Sequence, residues 1–163
     1  MELSIRRAGP KDADAVWAML KPVIAAGDTY TFPADITRSE TLEYWLGPKH
    51  RTFVAEVDGQ VAGTYYLRAN QPGGGDHVCN CGFVTAQWAA GRGVARGMLD
   101  HSQKAAKEAG FRAMQFNFVV ATNTRAIATW ERAGFQTVGR LPGAFRHPDK
   151  GYVDALVMFK DLV

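Results

Sequence analysis

A glycine-rich turn that leads into a predicted helix is the part of this sequence best suited to hold a ligand. Gly91 and Gly93 lack a Cβ atom, so the backbone there can come close to a bound group. The first amides of a helix have no partner within it, and the helix dipole adds positive potential. The turn therefore predicts a site for an anion such as a pyrophosphate, with a plain strand-to-helix connection as the alternative. The contributing residues would be Gly91, Arg92, Gly93, Val94, Ala95, Arg96 and Gly97.

Two better-known phosphate loops do not fit this turn. The P-loop needs Lys and then Ser or Thr after its last glycine, whereas Val94 follows Gly93. The dinucleotide fingerprint needs a third glycine three residues after the second, where Arg96 stands. The turn therefore indicates an anion site of another kind.

Other polar residues could do chemistry from predicted strands and helix ends. Asn80 lies mid-strand among apolar residues, so its amide either bonds to neighbouring backbone or binds a substrate carboxylate or a water. Asn123 directly precedes a predicted helix and can cap it. His77, Cys79 and Cys81 share one face of a predicted strand. No fourth ligand is evident, so we expect no metal site.

Composition limits the classes of protein that the chain can be. The 163 residues are 47% hydrophobic and 21% charged, as in an ordinary globular domain, and we expect a single domain over 1–163. The net charge of +3 comes without a Lys/Arg-rich block, so no nucleic-acid partner is expected. We expect no signal peptide, because the first ten residues have no apolar segment after their charges, and no membrane span, because no apolar run approaches roughly 20 residues. These features predict a cytoplasmic protein without a membrane partner.

The elements that position these residues follow the order β-α-α-β-β-β-α-β-α-β-β. Hydrophobic periodicity, caps and turn residues predict them. The expected strands are 3–5, 52–57, 61–68, 77–85, 113–120, 136–141 and 153–160, and the expected helices are 11–26, 37–46, 93–109 and 124–133. A long loop is expected over 142–148. The later strand-helix-strand unit requires a parallel pair of strands.

Two motifs carry a specific resemblance. Residues 91–95 resemble the acetyl-CoA signature Arg/Gln-x-x-Gly-x-Gly/Ala of the GCN5-related N-acetyltransferases (GNAT), with Gly93 and Ala95 matching and Ala90 in place of Arg or Gln. Residues 123–135 resemble the second signature N-x-x-A-x-x-x-Y-x-x-x-G-F, with Trp130 in place of Tyr. This resemblance implies an α+β fold with a central mixed, mostly antiparallel sheet of about seven strands and about four flanking helices. It also implies acetyl-CoA as co-substrate and no metal.

A narrower likeness concerns residues 77–83 and 153–155. These stretches look like the fungal acetyltransferases that detoxify proline analogues such as azetidine-2-carboxylate. This implies a small-molecule amine, an amino acid or its analogue, as acceptor. A protein or aminoacyl-tRNA amine is the alternative acceptor, and a coenzyme A-binding sensor without catalysis is the alternative to an enzyme. Homodimers are common in the family, and one is expected here.

The resemblance also implies roles for individual residues. The central strand would splay after a bulge, with the thioester in the gap and the Val84 N–H, or a close neighbour, as oxyanion donor. Asn123 would bind the pantetheine arm or a site water. Catalytic roles thus fall on Asn80, Val84 and Asn123, and cofactor contacts on Phe83, Val84, Asn123, Ala126 and Trp130 besides residues 91–97. The acceptor pocket would consist of Asp28, Thr29, Tyr30, Phe32, Tyr66 and Asn80, with Phe145, Arg146 and His147 as a second wall.

The acid and the base of the family mechanism are both missing from their usual positions. Trp130 cannot protonate the departing thiolate as a Tyr can, so Cys81, Tyr65 or Tyr66 could serve instead, or no direct donor acts. The predicted central strand carries no Glu, and a lightly basic amine could enter already neutral without a strong base.

Overall fold

The computed structural model describes residues 2–163 and is built around one sheet of seven strands. The strands are β1 (Leu3–Arg7), β2 (Arg51–Val57), β3 (Gln60–Ala69), β4 (Val78–Thr85), β5 (Ala113–Val120), β6 (Gln136–His147) and β7 (Gly151–Asp161). Their spatial order is β1-β2-β3-β4-β5-β7-β6. Only β4 and β5 pair in parallel, while the other neighbours are antiparallel. The mixed, mostly antiparallel sheet is confirmed.

Four α-helices flank the sheet, as predicted. They are α1 (Ala13–Ala26), α2 (Arg38–Trp45), α3 (Val94–Glu108) and α4 (Thr124–Arg132). The Thr37 side chain caps α2 by accepting from the Glu40 amide, and the Glu40 carboxylate accepts from the Thr37 amide in return. None of the helices within residues 2–163 is long and apolar enough to cross a membrane.

Helix α3 packs on the sheet through residues with almost no exposed surface. Val94, Met98, Leu99 and Ala106 are each at most 1% exposed. A Cβ added at Gly63 of β3 would lie 2.8 Å from the Met98 Cε atom, so the Met98 side chain occupies the space that a side chain at Gly63 would fill. This packing fixes the N-terminus of α3 at the end of β4.

The strands β4 and β5 part soon after they meet. Their pairing consists of Val78 with Ala113 and Cys79 with Met114, whereas β4 stays paired with β3 as far as Thr85. The expected splay is therefore present. The expected bulge does not lie in the β3–β4 ladder, whose register is continuous, and the register shift of this region falls in β5 where it pairs with β7.

The prediction of a long loop over 142–148 is wrong. Strand β6 continues to His147, and Phe145 pairs with Val153 of β7. The ladder skips the residues between Leu141 and Phe145, which leaves Pro142 outside it, and β6 is an edge strand. A proline is tolerated at such a site because no ladder hydrogen bond is lost there.

Candidate active site

A cavity of about 720 Å³ lies where β4 and β5 part. Its lining comes from α1, the segment before α2, α2, β3, β4, the glycine turn, the start of α3, β5 and α4. Most of the predicted site residues line it: Thr29, Tyr30, Tyr66, Asn80, Phe83, Val84, Gly91, Gly93, Val94, Ala95, Arg96, Asn123, Ala126 and Trp130. Asp28, Phe32, Arg92 and Gly97 do not line it.

Strand β4 runs between two chemically different ends of this cavity. One group of lining residues lies beside the first part of β4, and we call it the tyrosine end. The tyrosine end consists of Tyr30, Tyr44, Tyr66, Arg68 and Asn80. After β4, the chain enters the second group, which we call the glycine end. The glycine end consists of Gly91, Gly93, Val94, Ala95, Arg96, Asn123, Arg125 and Arg132.

The glycine end presents unpaired backbone amides. Gly91 and Gly93 have φ angles of 78° and 80°, which only glycine adopts without strain. Gly93 is the N-cap of α3, so the next three amides have no partner inside the helix. The Gly97 amide is already bonded to the Gly93 carbonyl at 2.9 Å, and Gly97 faces Leu3 instead of the cavity. The Gly97 amide is therefore not free to bind an anion, and the predicted amide contacts are limited to the residues before Gly97.

Arginines at the glycine end differ from those that the sequence indicated. Arg92 points away from the cavity and lies over the Trp88 ring at 5.8 Å. Arg96 lines the cavity, with Asp100 3.6 Å away on an exposed helix face. Arg125 and Arg132 line the cavity from α4 and were missed. Their placement depends on how α4 docks, which no local sequence signal records.

Asn123 and Trp130 lie where the second motif led us to expect them. The Asn123 Oδ1 atom accepts from the Ala126 amide at 3.4 Å and so caps α4, as predicted. The Trp130 ring packs 5.3 Å from the Phe83 ring and 4.8 Å from the Phe116 ring. Trp130 thus joins α4 to β4 and β5 across the cavity wall.

The backbone of β4 faces the cavity through alternate residues. The Ala86 amide bonds to the Ala62 carbonyl of β3, so by strand alternation the Val84 N–H also faces β3 instead of the gap. This geometry does not fit the predicted donor role of Val84. Phe83 faces the gap, but the Tyr30 hydroxyl accepts from its N–H at 2.8 Å and donates to its carbonyl at 2.9 Å. The Cys81 and Thr85 amides share this orientation.

The tyrosine end is shaped by a close approach between β3 and β4. A Cβ on Gly82 would lie 2.4 Å from the Tyr66 Cε2 atom, so the Tyr66 ring occupies the space that a side chain would fill. The Tyr66 and Tyr44 hydroxyl oxygens are 3.2 Å apart. His50 stacks behind Tyr66 with ring centroids 4.5 Å apart.

Asn80 bridges the point where the two strands separate. Its Nδ2 atom donates to the Gln115 carbonyl of β5 at 3.0 Å, which replaces the lost ladder bond. Its Oδ1 atom faces the Tyr66 hydroxyl at 3.5 Å and the Arg68 Nε atom at 3.4 Å. Asn80 therefore both bonds to neighbouring backbone and lines the cavity, so the two alternatives from the sequence are compatible.

Arg68 is a cavity-lining cation that sequence reasoning missed. Its guanidinium lies 5.9 Å from the centre of the Tyr66 ring. No ion pair among residues 2–163 includes it. In the sequence it ends a strand, where a solvated arginine is common, so no local signal distinguished it.

Several predicted pocket residues lie elsewhere. Asp28 is exposed outside the cavity. Phe32 packs behind the pocket, 5.7 Å from the Tyr30 ring and 5.6 Å from the Tyr44 ring. The second wall is absent, because β6 carries Phe145 into the core, near Phe118, and neither Arg146 nor His147 lines the cavity.

The ionisable groups of the cavity are four arginines, three tyrosines and a thiol. Within residues 2–163, the lining includes no Asp, Glu or His. Burial raises the pKa values of Tyr30, Tyr66 and the Cys81 thiol above their ordinary ranges. Tyr65 lies outside the cavity, with its hydroxyl 2.7 Å from His101 Nδ1. His77 is exposed and precedes β4, so it does not share a strand face with Cys79 and Cys81 as the sequence suggested. Residues 2–163 hold no cluster of three or more metal-ligating side chains.

Comparison with known proteins identifies the family of this chain. The family model described as Acetyltransferase (GNAT) family matches residues 19–135. N-acetyltransferase aca1 of Schizosaccharomyces pombe is 29% identical over 151 residues, which cover 82% of this chain and 72% of aca1. A GCN5-related N-acetyltransferase from Kribbella flavida superposes with a TM-score of 0.93 and 39% identity, over 98% of this chain and 97% of that chain.

A third relative was solved with its cofactor. The yncA protein of Salmonella typhimurium, in complex with acetyl-CoA, has a TM-score of 0.84 at 18% identity, over 100% of this chain and 95% of that one, which shows the shared fold. Since the family model spans most of the chain and the motifs meet at one cavity, this chain belongs to the GNAT family and is an N-acetyltransferase that uses acetyl-CoA.

Proposed function

We propose that this enzyme acetylates the amine of a small molecule, an amino acid or an amino-acid analogue. The observation that carries this proposal is Arg68, a cation without an acidic partner that lines the tyrosine end of the cavity. A guanidinium binds a carboxylate through paired, charge-assisted hydrogen bonds. The neighbouring Tyr44 and Tyr66 hydroxyls and the Asn80 amide would complete a polar pocket of amino-acid size.

The glycine end would hold the acyl donor. The free amides of Val94, Ala95 and Arg96 at the start of α3 suit a pyrophosphate. Arg125 and Arg132 would add charge-assisted contacts to phosphates. Both the amides and the arginines therefore fit a polyanionic donor such as acetyl-CoA.

The backbone of β4 would align the reacting groups. Because Asn123 Oδ1 is used as the helix cap, its Nδ2 group is the part that would donate to the pantetheine arm. The Cys81 and Thr85 amides face the gap and replace Val84 as candidate donors to the oxyanion. Holding an amine against an activated thioester can by itself lower the barrier by several kcal/mol.

A thiol-release assay tests the proposed function. Purified protein and acetyl-CoA would be mixed with a panel of amino acids, azetidine-2-carboxylate, methionine sulfone and phosphinothricin, and with a peptide bearing a free N-terminus. We expect release that depends on one of the small amino-acid acceptors. Release with the peptide alone, or tight acetyl-CoA binding without release for any acceptor, would contradict the proposal.

We further infer a detoxifying, cytoplasmic enzyme that forms a homodimer. The likeness of residues 77–83 to proline-analogue acetyltransferases supports the first part, and the free thiols of Cys79 and Cys81 suit a reducing compartment. Val138 and Leu141 on the edge strand β6 are 61% and 39% exposed, and a second copy of the chain would cover these apolar side chains. Light scattering of the purified protein at several concentrations tests the dimer, and a monomer throughout would contradict it.

A further inference from the structure

Within residues 2–163, no ordinary general base lines the cavity. Four arginines line it, namely Arg68, Arg96, Arg125 and Arg132. Across residues 2–163 its lining includes no carboxylate and no imidazole. The groups with a removable proton are Tyr30, Tyr44, Tyr66 and Cys81. A phenol or thiol that holds its proton at neutral pH cannot accept another from an ammonium group.

Three candidate bases outside the lining, His50, Asp28 and His101, do not reach into the cavity. His50 lies behind the Tyr66 ring, and desolvation lowers its pKa. Asp28 precedes the lining residue Thr29 but is itself exposed. His101 is held by the Tyr65 hydroxyl and also lies outside the cavity.

The charges that are present act against a protonated acceptor. An ammonium group that enters the tyrosine end of the cavity meets positive charge from Arg68 on β3. Nearby like charge disfavours the charged form of an ionisable group. The same positive charge favours a carboxylate on the acceptor.

We propose that the acceptor amine reaches the cavity already neutral, with no side chain of the cavity acting as its base, and that the preferred acceptors are weakly basic amines bearing a carboxylate. In the reaction, the neutral nitrogen forms a bond to the acetyl carbon and the carbon–sulfur bond breaks. The proton lost from nitrogen is taken up by the leaving thiolate, so this step releases no net proton. An acceptor that is protonated in solution gives its extra proton to the solvent before it enters the cavity. This inference rests on the proposed small-molecule function and specifies its substrate class.

The test compares two acceptors of nearly equal shape. The best acceptor of the panel and its side-chain-fluorinated analogue differ in amine basicity, because fluorine withdraws electrons. The pH dependence of kcat/KM is measured for both. We expect kcat/KM to fall about tenfold per pH unit below the pKa of each acceptor amine, so that the break shifts between acceptors by the difference in their amine pKa values.

Two variants test whether a side chain near the cavity acts as the base. In Asp28→Asn and His50→Gln, each break is expected to stay where it is in the unaltered enzyme. A break at the same pH for both acceptors, or one removed by either variant, would identify a base in the protein and overturn the inference. That result requires turnover, so it differs from failure of the proposed function, in which no small acceptor is acetylated at any pH.

Discussion

The two ends of the cavity are built by different means. The glycine end is largely a local structure, because the turn, the helix start and the Asn123 cap each form within a few consecutive residues. The tyrosine end brings together residues from four separate segments: the stretch before α2, α2 itself, β3 and β4. We infer that the end that binds the common donor is encoded locally, whereas the end that selects the acceptor depends on the tertiary fold.

Removing cations from the glycine end should give the largest effect. In Arg125→Gln combined with Arg132→Gln, we expect the Kd for coenzyme A to rise about tenfold to a hundredfold or more, since a hydrogen bond to a charged group contributes about 1.5–3 kcal/mol. Isothermal titration calorimetry measures the Kd. Arg112→Gln is the matched control, because Arg112 is exposed and lies outside the cavity. An equal loss of coenzyme A affinity in Arg112→Gln would contradict the assignment of the two α4 arginines to the donor site.

Filling the space beside Tyr66 should affect the tyrosine end alone. In Gly82→Ala, the new Cβ would lie 2.4 Å from Tyr66 Cε2, and such overpacking typically costs about 1–3 kcal/mol. Because the Tyr66 ring must shift to relieve this contact, we expect the KM for the acceptor to rise about tenfold, equivalent to about 1.4 kcal/mol, while the Kd for acetyl-CoA is unchanged. Gly74→Ala is the control, because a Cβ at Gly74 would meet nothing within 4 Å. If both constants rose together, the two ends would not be separable.

The elements around both ends were largely predictable from sequence, because periodicity and caps are local signals. Thr37 and Asn123 cap their helices as expected. The extension of β6 was missed because Pro142 and Gly143 resemble a loop, whereas Gly143 donates its amide to the Asp154 carboxylate across the strand pair. Arg68 was missed because its proximity to Asn80 arises from strand register.

Tyr30 holds the backbone of β4 at Phe83, and loss of its hydroxyl should weaken the fold moderately. In Tyr30→Phe, the Phe83 N–H and carbonyl lose the hydroxyl that satisfies both. We expect the free energy of unfolding to fall by about 1 kcal/mol, because both backbone groups are partly buried and lose their hydrogen-bond partner. Denaturant unfolding measures it, with Tyr152→Phe as an exposed control. An unchanged stability would mean that water replaces the hydroxyl.

The smallest expected effect is on the pH dependence of stability, through His50, whose ring stacks on Tyr66. Desolvation lowers the pKa of His50, so the unfolded chain binds a proton there more readily than the folded protein. Stability should therefore be full above about pH 6.5 and decline as the pH falls through the folded pKa. In His50→Gln this decline should be smaller, with a remainder from His101, whose pKa is also lowered. Thermal melts between pH 5 and 8 measure it, and a decline equal to the wild type would exclude His50 as a cause.

The most direct test of the account crosses a change in Arg68 with a change in the acceptor. The kcat/KM values of the best amino acid and of its carboxamide, which lacks the negative charge, are measured in the wild type and in Arg68→Gln. We expect the wild type to favour the carboxylate form by about tenfold or more, and Arg68→Gln to lose most of this preference, since a charged hydrogen bond contributes about 1.5–3 kcal/mol. The same preference in both proteins would contradict the assignment of Arg68 as the group that recognises the acceptor.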